Sequence, residues 1–171
     1  MNYPGGNDVV VYGEGIFAGY RYYDRLKIEP LFPFGFGMSY TCFQYSNIRL
    51  STAVLDLSRD STAAIRVQVD VTNVGAVAGK EIVQFFVSQL SEPGLVRPER
   101  ELKGWDKLFI EPGATAVAEM TLDWVSVAYW DDKPHKWVVD GTADFDVIAC
   151  KHVRDSGVSA GFKTGARYVR P

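Results

Sequence analysis

The feature that most constrains the fold is a strict alternation of apolar and polar residues over 65–72, which reads IRVQVDVT. Because successive side chains of a β-strand point to opposite faces, one face of this segment would carry only Ile65, Val67, Val69 and Val71. The other face would carry only polar side chains. This pattern predicts a half-buried strand that covers a hydrophobic core on one side.

Further strand-like segments follow at short intervals, separated by residues that favour turns. The chain predicts strands over Phe43–Leu50, 81–88, 102–110, 116–122, 128–131, 136–140, 145–149 and 160–169. Segment 81–88 (EIVQFFVS) is apolar enough for a central position, and Glu111-Pro112-Gly113 is a turn. No segment has the 3.6-residue period of a helix longer than about two turns. We therefore predict an all-β protein, an immunoglobulin-like antiparallel β-sandwich.

The first 40 residues have a different character from the rest of the chain. They contain ten of the 23 aromatic residues, together with seven glycines and three prolines. Such a mixture disfavours a long helix and predicts short extended pieces and turns. Many rings with little regular structure to bury them indicate a segment that packs against a surface. We place a domain boundary here, with an N-terminal extended aromatic segment over 1–40 and the β-sandwich over 41–171.

Composition excludes several classes of function. The chain has 18 basic and 21 acidic residues and a net charge of -3, without a basic stripe that would bind nucleic acid. No apolar run approaches the roughly 18–20 residues that span a membrane. Two cysteines, Cys42 and Cys150, and two histidines cannot supply a zinc site of the usual spacing, and we expect no cofactor. Sequence leaves open whether the two cysteines form a disulfide or are two buried thiols.

Catalytic carboxylates are not evident from the residues alone. Glu14 and Asp24 flank EGIFAGYRYYD, but ten residues of extended chain separate them by about 30 Å, well beyond the separation of a glycosidase pair. Asp144 and Asp146 alternate with apolar residues and are expected to be solvated. Trp105, Trp130 and Trp137 could form an aromatic platform for a sugar, although cross-strand aromatic packing is the commoner role of such rings.

Several long motifs, in the same order and spacing, resemble the C-terminal part of glycoside hydrolase family 3 β-glucosidases. EGIFAGYRYYD and IEPLFPFGFGMSYTCFQYSNIRL are similar to the end of the α/β sandwich domain of that family and the start of the next domain. VTNVGAVAGKEIVQFFV, RPERELKGWDKLFIEPG, VAYWDDKPHKWVV and ADFDVIA are similar to its fibronectin type III-like domain. The resemblance covers about residues 8–150, and the tail after Cys150 follows the family only loosely.

The resemblance implies a retaining β-glycosidase parent, usually a β-glucosidase, whose nucleophilic aspartate and acid/base glutamate lie upstream of these motifs. No catalytic residue is carried over to this chain, which we expect to be a non-catalytic module that braces the upstream barrel and α/β sandwich domains. We expect docking through eight side chains of the first segment: Phe17, Tyr20, Arg21, Tyr22, Tyr23, Phe32, Phe34 and Phe36.

Two other readings remain open at this point: a carbohydrate-binding module that targets the parent to polysaccharide, and an adhesion-type fibronectin domain. The family motifs at the start of the chain argue against the second. The resemblance also implies an extracellular parent, although residues 1–15 lack the charged and apolar regions of a signal peptide.

Overall fold

The computed structural model describes residues 5–6, 8–91 and 96–170; the predicted domains also contain residues 1–4, 7, 92–95 and 171, which lie outside this description. Eleven strands and two short helices are formed within the described residues. In chain order these are α1 (Tyr20–Leu26), β1 (Phe43–Leu50), β2 (Val54–Leu55), β3 (Ile65–Asn73), β4 (Gly79–Gln89), β5 (Glu101–Ile110), β6 (Thr115–Leu122), α2 (Trp124–Val127), β7 (Tyr129–Asp131), β8 (Lys136–Val139), β9 (Asp144–Cys150), β10 (Val158–Thr164) and β11 (Tyr168–Arg170).

Two sheets enclose one main core, which confirms the predicted β-sandwich. One sheet has the order β1-β3-β6 and the other β2-β10-β9-β4-β5, with antiparallel pairing throughout except between β2 and β10. The alternating apolar residues of β3 are fully buried, and they share the core with Phe85 of β4 and Phe145 of β9. The period-two pattern therefore points inward as the sequence predicted.

Strand β4 has the central position that its apolar sequence predicted, between β9 and β5. Every residue from Val83 to Val87 is buried, so both faces of this strand are covered. Phe85 points into the main core, whereas Phe86 belongs to a second cluster with Ile148, Cys150 and Val153. This second cluster, which we call the outer cluster, needs a cover that does not come from the opposing sheet of the sandwich.

The C-terminal half adds a small third sheet of order β11-β8-β7, which the sequence did not predict as a separate sheet. The predicted hairpin exists as β7 paired with β8. The last predicted strand, 160–169, is divided instead into two strands that join different sheets: β10 pairs with β9, and β11 pairs with β8. The chain changes sheet at Gly165, where a Cβ atom would collide with the Asp56 side chain.

Within the aromatic segment the structure differs from the extended pieces predicted for it, because Tyr20–Leu26 form helix α1. The helix starts after Gly19 and ends at Lys27, both with positive φ. A seven-residue helix gains little from its own hydrogen bonds, so its stability depends on packing. Tyr20 and Asp24, four residues apart on one helical face, are the side chains that supply it.

Candidate interdomain surface

The inner face of α1 covers the outer cluster through Tyr20. Its ring stacks on Phe34 with 5.0 Å between centroids and meets the edge of Phe86 at 6.0 Å. Its hydroxyl accepts a 3.0 Å hydrogen bond from the backbone N–H of Leu102. Leu102 belongs to β5, the edge strand of its sheet, so Tyr20 provides an acceptor for a backbone N–H at an edge where no further strand pairs. Tyr20 thus joins the aromatic segment to both a face and an edge of the sandwich.

Ion pairs attach the same helix to the sandwich along its length. Arg154 Nη2 lies 3.1 Å from the carboxylate of Asp24, which is buried, and Lys27 pairs with Glu99. Burial raises the pKa of Asp24, although the positive charge of Arg154 opposes this effect. A buried carboxylate held by a single arginine is costly unless the geometry of docking is kept, so this pair favours one seating of the helix.

The loop after α1 is fixed by backbone contacts to the sandwich. The N–H of Val153 donates to the carbonyl of Phe34 at 3.0 Å, and Gln84 Nε2 donates to Gly35 O at 3.4 Å. Gly35 has a φ of 86°, and a Cβ atom there would collide with the amide group of Gln84. A residue without a side chain is therefore required both by the backbone conformation and by the close approach to β4.

The aromatic segment also has an open and strongly apolar surface. Tyr22 and Tyr23 are about two-fifths exposed, and Leu31 and Phe32 are 88% and 66% exposed. These four residues define what we call the outer face. A shallow cavity of about 640 Å³ lies beside it, lined among others by Tyr23, Leu31 and Phe32. Large exposed apolar patches often mark interaction sites, so the outer face is the candidate interdomain surface.

The eight side chains predicted to dock are thus divided between two environments. Tyr20, Arg21 and Phe34 contact the chain's own sandwich. Phe17 is half-buried beneath the guanidinium of Arg25, 4.2 Å from its centroid. The remaining four, Tyr22, Tyr23, Phe32 and Phe36, are 41–66% exposed, although the Phe36 ring also lies 5.9 Å from His152 of the sandwich. Docking through all eight stays a prediction. The sequence did not separate the buried from the exposed side chains, because it predicted extended pieces here. Only a helix places Tyr20 on a buried face and its neighbours on exposed ones.

The three tryptophans predicted as a sugar platform do not form one flat surface. Trp105 is in the five-stranded sheet, whereas Trp130 and Trp137 are cross-strand partners in the third sheet. The Trp130 and Trp137 rings are 5.6 Å apart at an angle of 73°, and Trp137 meets Trp124 edge-on as well. Edge-to-face packing of this kind stabilises the hairpin.

The described residues hold neither a candidate metal centre nor a candidate membrane-spanning helix. Among these residues no three His, Cys, Asp or Glu side chains are grouped so that they could hold a metal ion. No helix there is both long and apolar enough to cross a membrane. Cys42 and Cys150 are free thiols, the first exposed and the second buried. Burial raises the pKa of Cys150 to about 12.

Comparison with known proteins gives the same assignment by sequence and by structure. The model of the fibronectin type III-like domain matches residues 81–152. Thermostable β-glucosidase B of Acetivibrio thermocellus is 45% identical over 155 residues, which are 91% of this chain and 20% of the relative. Probable β-glucosidase I of Aspergillus fumigatus is 40% identical over 154 residues, 84% of this chain and 18% of the relative.

Solved β-glucosidases contain the same fold. The family 3 β-glucosidase of Bifidobacterium adolescentis superposes with a TM-score of 0.85 and 33% identity, over 95% of this chain and 23% of that one. β-Glucosidase 3B of Thermotoga neapolitana, solved with glucose, superposes with a TM-score of 0.85 and 29% identity, over 99% of this chain and 23% of that one. This chain spans about a fifth of the length of the relatives it matches. It corresponds to the C-terminal part of the glycoside hydrolase family 3 β-glucosidases, the part that contains their fibronectin type III-like domain.

Proposed function

We propose that this chain is a non-catalytic structural module that braces the catalytic domains of a family 3 β-glucosidase. In this proposal the parent enzyme hydrolyses terminal β-D-glucosyl residues, and the reacting carboxylates come from its barrel and α/β sandwich domains. The chain contributes a rigid surface against which those domains are held, and the purified chain alone releases no nitrophenol from aryl β-glucosides.

The observation that carries the proposal is the two-sided aromatic segment. Its inner face is fixed to the sandwich by Tyr20, Asp24 and the Phe34 carbonyl, while its outer face presents exposed apolar side chains. The buried ion pair between Asp24 and Arg154 and the close approach of Gly35 to Gln84 fix the segment in one position on the sandwich. A segment held this firmly keeps its outer face in a fixed orientation, which reduces the entropic cost of docking.

The length of the relatives supports another domain of the same polypeptide as the partner that covers the outer face. Four-fifths of the matched β-glucosidases lie outside the region that corresponds to this chain. The outer face belongs to the motifs at the N-terminal side of the sandwich, where the chain of such an enzyme arrives from its preceding domain. Another domain of the same polypeptide is therefore the partner that we propose for it.

A chimera tests the bracing role. This chain replaces the matching region of the Acetivibrio thermocellus β-glucosidase, and Tyr23→Ser and Phe32→Ser are introduced together. We expect the temperature at which the chimera loses activity to fall by about 1–3 °C, because two apolar contacts of roughly 1–2 kcal/mol each are lost from a protein about five times as long as this chain. The isolated chain, in which Tyr23 is 42% and Phe32 66% exposed, should lose less stability, so the additional loss in the chimera measures the contact with the other domain.

Phe109→Ser is the matched control, since Phe109 is 59% exposed and lies on β5 seven residues from Leu102, which contacts Tyr20. It should leave both the chimera and the isolated chain unchanged. If the outer-face variant behaves like this control in the chimera, the outer face is not an interdomain contact and the bracing role is wrong.

A further inference from the structure

Three cationic side chains surround a single carboxylate where α1 meets the edge of the sandwich. The Glu101 carboxylate lies 2.9 Å from Arg97 Nη2, 3.5 Å from Lys103 Nζ and 3.7 Å from Arg21 Nη2. Arg97 is almost fully engaged, since it also donates to Gln89 Oε1 and to the carbonyl of Val127. Among the described residues, Glu101 is the one carboxylate within ion-pair distance of these cations.

The charges of this cluster do not balance, and most of it is shielded from water. The side chains of Arg97, Lys103 and Glu101 are 8%, 16% and 16% exposed. Three positive charges against one negative charge leave an excess of two in a partly desolvated site, which is unfavourable. Burial lowers the pKa of Lys103, the Glu101 carboxylate opposes this, and the charges of Arg97 and Arg21 lower it further.

Arg21 is the open member of the cluster. Its side chain is 32% exposed, and its Nε–H is buried without an acceptor among the described residues. Because this Nε–H is shielded from solvent, an incoming carboxylate meets the exposed part of the guanidinium, and pairing with a carboxylate is the contact that arginine favours. Arg21 also lies on helix α1, which carries Tyr22 and Tyr23 of the outer face.

We propose that the Arg21, Arg97 and Lys103 cluster is a binding site for a carboxylate side chain of the adjoining domain of the parent enzyme. The site rests on the proposed bracing function and names the chemistry of its partner. The incoming carboxylate bridges Arg21 and Lys103, balances the excess charge and fixes the register of the docked domain. The apolar outer face supplies contact area, and the cluster supplies specificity.

Citrate, a small tricarboxylate, is the probe of the free site in the isolated chain. Thermal unfolding is followed in citrate and in sodium chloride at equal ionic strength, so that general screening of charge is the same in both. We expect citrate to raise the Tm by about 3 °C more than chloride at a concentration near ten times its dissociation constant. No citrate-specific rise in the wild-type chain overturns the inference.

Matched variants separate this site from adventitious binding. Lys103→Met keeps the aliphatic stem and removes the charge, and it should abolish the citrate-specific rise. Lys163→Met removes a lysine that is also paired with one carboxylate, Asp144, but is 66% exposed, and it should keep the full rise. Because Lys103 is buried, Arg21→Gln provides a second variant that leaves the interior of the cluster intact. An equal rise in all variants overturns the inference.

The chimera with the Acetivibrio thermocellus enzyme identifies the occupant. With a domain carboxylate in the site, citrate should add no stability to the chimera, and Arg21→Gln should lower its Tm but not that of the isolated chain in chloride. A citrate rise in the chimera as large as in the isolated chain shows a small-anion site and overturns the proposed occupant. The bracing function is judged separately, by Tyr23→Ser with Phe32→Ser, so either proposal can fail alone.

Discussion

Tyr20 offers the sharpest test of how the aromatic segment is attached, because its hydroxyl and its ring make different contacts. Tyr20→Phe removes only the acceptor of the Leu102 N–H, and it keeps the stacking on Phe34 and the edge contact with Phe86. Tyr20→Ala removes all three. The two variants therefore separate the hydrogen bond at the edge of the sheet from the cover over the outer cluster.

The expected magnitudes follow from these contacts. Loss of one acceptor from a part-buried backbone N–H costs about 1 kcal/mol. Truncation of a half-buried ring that packs on two aromatic partners adds about 2 kcal/mol. We therefore expect Tyr20→Phe to lower the free energy of unfolding by about 1 kcal/mol and Tyr20→Ala by about 3 kcal/mol. For a chain of this length, each kcal/mol corresponds to roughly 2–4 °C in Tm.

Urea unfolding measures both losses, and hydrogen exchange at the Leu102 amide reports the local bond. Tyr22→Phe is the control, since Tyr22 is on the same helix but is 41% exposed. It should change neither measurement. If Tyr20→Phe unfolds like Tyr22→Phe and exchange at Leu102 is not accelerated, the helix does not cap this edge, and the reasoning from the inner face is refuted.

Three further predictions concern the same region. Gly35→Ala should cost about 2 kcal/mol in urea unfolding, because alanine is strained at this φ and its Cβ would displace the Gln84 amide, whereas an unchanged midpoint would contradict that contact. In the native chain, Ellman's reagent should titrate Cys42 alone, and Cys150 should react only after unfolding because it is buried with its pKa raised to about 12; two fast thiols would contradict this. The folded-state pKa of Asp24 is raised, so the folded state binds its proton more tightly than the unfolded state, and stability rises as the pH falls through that pKa. Relative to Asp24→Asn, the free energy of unfolding of the wild-type chain should therefore increase from pH 7 down to about pH 4. A relative decrease over this range would contradict a raised pKa of Asp24 in the folded state.

Much of the sandwich was predictable because its strands obey a simple rule. Alternation along β3 places four apolar side chains on one face, and all four are fully buried. The continuous apolar run of β4 predicted its central position. The third sheet was only partly predictable, since the chain passes from β10 to β11 at Gly165, where the distant residue Asp56 leaves no room for a side chain.

The inner face of the aromatic segment was not predicted, although β4 carries a signal for it. Phe85 and Phe86 are adjacent, so they must point to opposite faces, and only one of them can enter the core between the sheets. The other requires a cover outside the sandwich, and Tyr20 is part of that cover. The local sequence did not predict α1, because glycines and prolines surround it and a short helix depends on tertiary contacts more than on helix propensity.

The cationic cluster was likewise invisible in sequence. Arg21 is about 80 residues from Glu101, and nothing in the local pattern of either residue predicts that they pair. Charged residues in mixed surroundings are normally solvated, so a sequence reading assigns them to the surface. Only the seating of α1 against the edge strand β5 places the three cations around one carboxylate.

Hydroxyl-radical footprinting tests the central claim most directly, because it reads the exposure of individual side chains in the isolated chain and in the chimera. The account predicts that modification of Tyr22, Tyr23 and Phe32 falls several-fold in the chimera. Phe109 and Trp105, exposed on the sandwich itself, should be modified equally in both. Equal modification of the outer face in the two proteins would contradict the claim that this face holds another domain.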